Sequence, residues 1–124
     1  MIEKTVCDLD QVWEMVGNDA DAFHEVLSVF RDGLPESMRQ IYEFSGQGDA
    51  RALAREAHSM KGFATTLSAA SATDLALRLE DVASAGNWEL VSDLVEGLTR
   101  EVDAILRLLN RIEQGTAHGQ CPDR

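Results

Sequence analysis

The sequence predicts an all-α fold: an antiparallel up-down-up-down four-helix bundle with a short extra helix at its N-terminus. Three observations carry that prediction. Apolar residues recur at helical spacing almost throughout the 124 residues. No stretch shows the period of two that a half-buried strand requires. Four long helical segments are joined by connections of a few residues, which makes successive helices antiparallel neighbours. A chain of this length builds one domain around a single modest core. It divides into a lead-in over 1–7, the helical bundle over 8–114, and a tail over 115–124 whose Gly, Pro and polar residues predict disorder.

Each element carries its own punctuation. Asp8, with Gln11 three residues later, reads as a capping box. It opens a short helix through Val12, Trp13 and Val16 that stops at Gly17-Asn18. Asp19 caps the next segment, where Phe23, Val26, Leu27, Phe30, Leu34, Met38, Ile41 and Tyr42 form one stripe. Gly33 and Pro35 interrupt it, and a proline inside a helix costs about 3 kcal/mol and bends the axis. The stripe stays in phase across the break, so the expectation is one long, kinked helix. Gly46-Gln47-Gly48 ends it, and Asp49 caps a third helix with the stripe Leu53, Ala57, Met60, Ala64 and Leu67. After a break at 68–71, a fourth helix runs through Leu75, Leu79 and Val82 to Gly86. Asn87 caps the fifth, with the stripe Leu90, Leu94, Leu98, Val102, Ile105, Leu109 and Ile112.

Charge and composition exclude several function classes. A formal charge of −11 lacks the basic surface that a nucleic-acid backbone or an anionic membrane attracts. No apolar run approaches the roughly 20 residues of a membrane span, and the N-terminus lacks a signal-peptide pattern. Cys7 and Cys121 lie at opposite ends of the chain, which fits a reducing, cytoplasmic compartment better than a disulfide framework. Cys7 is expected to pack as a small apolar residue and Cys121 to sit in the tail. No P-loop, dinucleotide fingerprint or Gly-x-Ser-x-Gly is present.

The chemistry concentrates in Ala57-His58-Ser59-Met60-Lys61-Gly62-Phe63-Ala64. On a helix each residue advances by about 100°. With Leu53 at zero, Ala57, Met60, Ala64 and Leu67 fall within about 40°, whereas His58 falls at roughly 140° and faces out. Arg51, Arg55, Gly62 and Thr65 share that outer face, with Lys61 between it and the core. The patch is locally basic on an acidic chain. An imidazole attacks as its neutral form, which predominates near pH 7 for an ordinary histidine. A nearby ammonium favours that form and offsets the charge of an incoming phosphoryl group. Gly62 costs about 1 kcal/mol in a helix relative to alanine. That cost is understandable if a partner must come into contact with His58, one turn away on the same face. No His, Cys or carboxylate stands four residues from His58 on either side, so a metal pair is not formed there. His24 and His118 have no such surroundings and read as ordinary surface residues.

On Ala57-His58-Ser59-Met60-Lys61-Gly62, with Ala64 and Leu67 following, the sequence resembles the histidine-containing phosphotransfer (HPt) domains of multistep two-component phosphorelays. The Gly-x-Gly-Asp turn before the motif helix and Leu77-Arg78-Leu79-Glu80 on the next one also match. The resemblance covers roughly residues 8–113. It implies a four-helix bundle that exchanges a phosphoryl group between the Nε2 of His58 and the aspartate of a response-regulator receiver domain. It gives Lys61 the role of charge neutraliser, Gly62 that of steric gap, and Glu80 that of an acid bonding the other imidazole nitrogen. It implies no cofactor on this chain, with Mg²⁺ on the receiver. The partners would be receiver domains of response regulators or of a hybrid histidine kinase, with the chain free-standing or the cytoplasmic part of a hybrid kinase. The helix stripes are narrow enough to be satisfied within one bundle, which predicts a monomer, and without an ATP-site motif or an acidic cluster for Mg²⁺ the chain is expected to be a carrier without enzymatic turnover. Phe63 departs from the family's usual small residue, and Thr66 and Ser68 from its frequent Asn and Gly. By the same helical rule Phe63 should pack between helices. Two other readings use the same bundle: a non-catalytic helical interaction module, and the phosphorylatable histidine domain of a chemotaxis-type kinase.

Overall fold

Helix α1 (Asp10–Met15) opens the part of the chain that the computed structural model describes, residues 7–113. Most of the expected lead-in and the tail, with His118 and Cys121, lie outside these described residues. The Asp8 carboxylate accepts from the backbone N–H of Asp10 at 3.0 Å. The expected capping box is not made, because Gln11 turns away and accepts from the Ser68 hydroxyl at 3.2 Å. Leu9 and Val12 are buried, and Trp13 meets Phe23 edge to face at 5.2 Å. The backbone N–H of Asp8 donates to the Leu67 carbonyl, which ties α1 to the end of a later helix.

Asp19 then starts α2 (Ala20–Gln47), accepting from the N–H groups of Asp21 and Ala22. Such a cap satisfies donors that the first turn leaves unpaired and contributes about 1 kcal/mol. The helix runs through Pro35 as one element. Pro35 lies on the exposed side, where water can satisfy the carbonyl that its missing N–H abandons. Gly33 is not an interruption at all. A Cβ there would stand 3.1 Å from the ring of Phe63, so the glycine leaves room for that ring on the neighbouring helix. Gly48 ends α2 in the left-handed conformation at φ 69°.

Asp49 caps α3 (Ala50–Thr66) through the Ala52 N–H at 3.1 Å. After a turn in which Ser68 takes φ 54°, α4 (Ala70–Ser84) returns, and α5 (Trp88–Glu113) closes the bundle. Each of α2 to α5 packs against its neighbours in sequence, and α5 packs back against α2. That cyclic order is the expected four-helix bundle, and among the described residues no strand occurs.

Two stripes differ from the expected ones. In α4 the buried face is Ala72, Ala76, Leu79 and Ala83, while Leu75 and Val82 sit at its margins. In the first turns of α5 it is Val91 and Val95 that enter the core, and Leu90 is exposed. Tyr42, assigned to the stripe of α2, is also exposed and bonds Thr99 through its hydroxyl at 2.7 Å. The α4 stripe has a consequence for the site. Ala57 and Ala64 of α3 and the small-residue stripe of α4 are all buried, and these two helices make the most extensive contact in the bundle. Small side chains let the helices approach closely, so that residues on their shared outer edge can touch.

Candidate functional site

His58 stands in the middle of α3, on the outer edge it shares with α4. Its helix is fixed from behind by Leu53, Ala57, Met60 and Ala64, all fully or almost fully buried. The imidazole itself is 64% exposed. A side chain held on a buried helix yet open to solvent is rigid and reachable at once.

One protein group orients the ring. Nδ1 lies 3.2 Å from Oε2 of Glu80 and 3.4 Å from its Oε1, at the long end of hydrogen-bonding distance. A carboxylate can only accept, so Nδ1 is the donor in this contact, and in a neutral ring held this way the lone pair is on Nε2. Nε2 is the nitrogen across the ring from Glu80. The same carboxylate meets the ammonium of Lys61, Nζ to Oε1 at 3.7 Å. Glu80 and Lys61 are each about 28–29% exposed, far less than the ring that they flank. The three residues thus form a chain of imidazole, carboxylate and ammonium that spans α3 and α4.

Gly62 follows Lys61 on the exposed surface. A Cβ built there meets nothing within 4 Å, and Gly62 is not among the residues with positive φ. Neither packing nor backbone geometry within the chain therefore calls for a glycine. Thr65 and Thr66 donate their hydroxyls to the carbonyls of Lys61 and Gly62 at 2.7 and 3.0 Å, each bonding back one turn along α3. Phe63 lies on another side of the helix, edge to face with Phe30 at 5.7 Å between α2 and α3, the position expected of it.

An open groove of about 650 Å³ runs beside His58 along the N-terminal half of α3, and Arg51, Arg55, Glu80 and Ser84 contribute to its walls. Ser84 did not stand out in the sequence, although it lies one helical turn from Glu80 on the same face. Sequence reasoning also missed a hydrogen bond behind the site. The buried Ser37 donates to Oε2 of Glu56 at 2.7 Å and pins α2 to α3. His24 sits elsewhere, beside Asp21, Glu25, Arg31 and Glu113. Among the described residues no group of three or more His, Cys, Asp or Glu side chains is placed to hold a metal ion. No described helix is long and apolar enough to cross a membrane.

Comparison with known proteins places the chain in a family. The family model described as the Hpt domain matches residues 25–114. Among solved structures the chain is similar to histidine-containing phosphotransfer protein B (HptB) from Pseudomonas aeruginosa PAO1, with a TM-score of 0.80 and 25% identity over 87% of this chain and 94% of that one. No curated protein matches. The family match takes in all of α3, α4 and α5 and most of α2, well over half the sequence, and so the chain belongs to the Hpt family, the histidine phosphotransfer domains of phosphorelays.

Proposed function

We propose that His58 is the phosphoryl carrier of this domain and exchanges the group with the phospho-accepting aspartate of a receiver domain. The observation that carries the reading is the ring itself, exposed, with Nδ1 held 3.2 Å from Glu80 and Nε2 on its far side. In the transfer, Nε2 attacks the phosphorus of an aspartyl phosphate. The N–P bond forms as the bond from phosphorus to the carboxyl oxygen breaks, and the aspartate leaves as a carboxylate. The ring becomes cationic while its proton stays on Nδ1, and the Glu80 carboxylate at 3.2 Å offsets that charge. Lys61, ion-paired with the same carboxylate at 3.7 Å, helps hold Glu80 in place and adds positive charge to the face that the transferred group meets. The open space at Gly62 lets the partner's backbone approach.

The chain supplies a nucleophile, its orientation and local charge. The receiver supplies the aspartate and the Mg²⁺. The domain is then a monomeric, stoichiometric carrier, whose rate of flux is set by encounters with its partners. The test is transfer from a phosphorylated receiver domain to the full chain. Wild type should become labelled and His58→Gln should not. Equal labelling of the two would remove His58 from the reaction.

A further inference from the structure

Arg51 and Arg55 lie on the exposed face of α3, one turn apart, and Arg55 is one turn ahead of His58. Their position is locally unfavourable. Like charges four residues apart on a helix repel. Arg51 also sits in the first turn, where the helix dipole disfavours a cation and where α3 has no acidic residue. Among the described residues neither arginine makes a hydrogen bond or an ion pair. The nearby acids are engaged elsewhere: Glu56 with Ser37, Asp49 with the Ala52 N–H, and Glu80 between His58 and Lys61. Both arginines line the groove beside His58.

The wider charge distribution points the same way. Between residues 50 and 84 the basic Arg51, Arg55, Lys61 and Arg78 match the acidic Glu56, Asp74, Glu80 and Asp81, so the segment is neutral on a chain of net charge −11. The excess negative charge lies outside α3 and α4. A negatively charged partner is repelled by the rest of the surface and admitted at this one face.

We propose that Arg51 and Arg55 are specificity-determining residues that receive acidic side chains at the lip of the docking receiver's phospho-acceptor pocket. This rests on the reading that His58 exchanges its phosphoryl group with a receiver aspartate. Such a pocket holds a divalent cation through oxygen ligands, so carboxylates gather there and its edge is negative. On the other flank of His58, Thr65, Thr73 and Leu77 line a groove of mostly apolar surface that Ser68 and Asp74 also border, with Leu77 43% exposed. One flank is cationic and the other apolar. A receiver with one acidic and one apolar edge therefore sits on this face in a single orientation.

The experiment measures phosphoryl transfer to the full chain by rapid quench. The donor is the phosphorylated receiver domain that labels wild type fastest in a screen of purified receiver domains. Arg51→Glu/Arg55→Glu is compared with Arg51→Lys/Arg55→Lys and with Arg39→Glu, a reversal on α2 where the arginine is paired with Glu36 at 2.6 Å. At low salt the double reversal should lower the second-order rate constant by about tenfold or more, and the difference should shrink to less than about twofold near 0.5 M KCl. The rate at saturating receiver should hold, the lysine pair should transfer within about threefold of wild type, and Arg39→Glu within about twofold. Thermal melts verify folding, and the single Arg55→Glu replaces the double variant if that one unfolds. The proposal is overturned if the double reversal stays within twofold of wild type at low salt, if Arg39→Glu slows transfer equally, or if the loss appears at saturating receiver instead. Equal labelling of His58→Gln and wild type would sink the carrier reading itself, a separate outcome.

Discussion

Replacing Gly62 separates what the fold needs from what the partner needs. The glycine lies inside α3, away from its ends, outside the positive-φ residues and with no atom within 4 Å of an added Cβ. Gly62→Ala therefore removes a helix penalty of about 1 kcal/mol without creating a clash. In a domain of this size that corresponds to a rise in melting temperature of about 4 °C. Gly62→Gln should gain a similar amount, because glutamine is also a good helix former and its side chain extends into open space. Function should move the opposite way. Position 62 is one turn from His58 on the same face, with Cβ positions about 6 Å apart. A long side chain there occupies the space through which the partner's aspartate reaches Nε2. A misplacement of about 1 Å in such a reaction costs about a hundredfold in rate. Gly62→Gln should therefore slow transfer from a phosphorylated receiver by about a hundredfold or more while melting no lower than wild type. Gly33→Ala is the internal control, since its Cβ would press on the Phe63 ring at 3.1 Å and should not bring the gain seen at Gly62. Two results would refute the reasoning: a melting temperature lowered by Gly62→Ala, or transfer to Gly62→Gln at the wild-type rate.

Glu80→Gln keeps an acceptor for Nδ1 but loses the charge that offsets the phosphorylated ring, so transfer should fall about tenfold, and Glu80→Ala should fall further, in the same quench assay. Burial first, and then the neighbouring Asp8, push the Cys7 thiol up from 9.0 to about 12. Because this folded value lies above the unfolded one, the thiol's contribution to stability is full below pH 9 and is lost as pH rises toward 12. Denaturant titrations at pH 8 and pH 10 should show wild type losing about 1.4 kcal/mol more than Cys7→Ala over that interval. Ala76→Leu forces a larger side chain into the close α3–α4 contact and should cost about 1–3 kcal/mol, read from the shift in denaturation midpoint.

The helix boundaries and the outward face of His58 were legible because they depend on local chemistry. Asp19 and Asp49 cap where a short polar side chain precedes an apolar stripe. His58 and Lys61 are placed by the helical repeat alone. What the sequence hid depends on distant partners. Gly33 looked like a helix breaker because its reason is the Phe63 ring on the next helix. The α4 face was misplaced because a pattern search weighs Leu75 and Val82 above Ala72, Ala76 and Ala83, although the alanines are what bring α4 close to α3. The distances from Glu80 to the imidazole and to Lys61 follow from that approach, and no local spacing encodes them. Arg51 and Arg55 were visible as neighbours of His58, but their lack of internal partners needed the positions of Glu56 and Glu80.

The central claim is that one nitrogen of one histidine holds the phosphoryl group. The full chain, labelled with ¹⁵N in its imidazoles and phosphorylated by a receiver domain, tests it by nitrogen–phosphorus NMR. The account predicts a single phosphorylated ring, His58, with phosphorus on Nε2 and the proton retained on Nδ1. Phosphorus on Nδ1 of His58, or on His24 or His118, would contradict it.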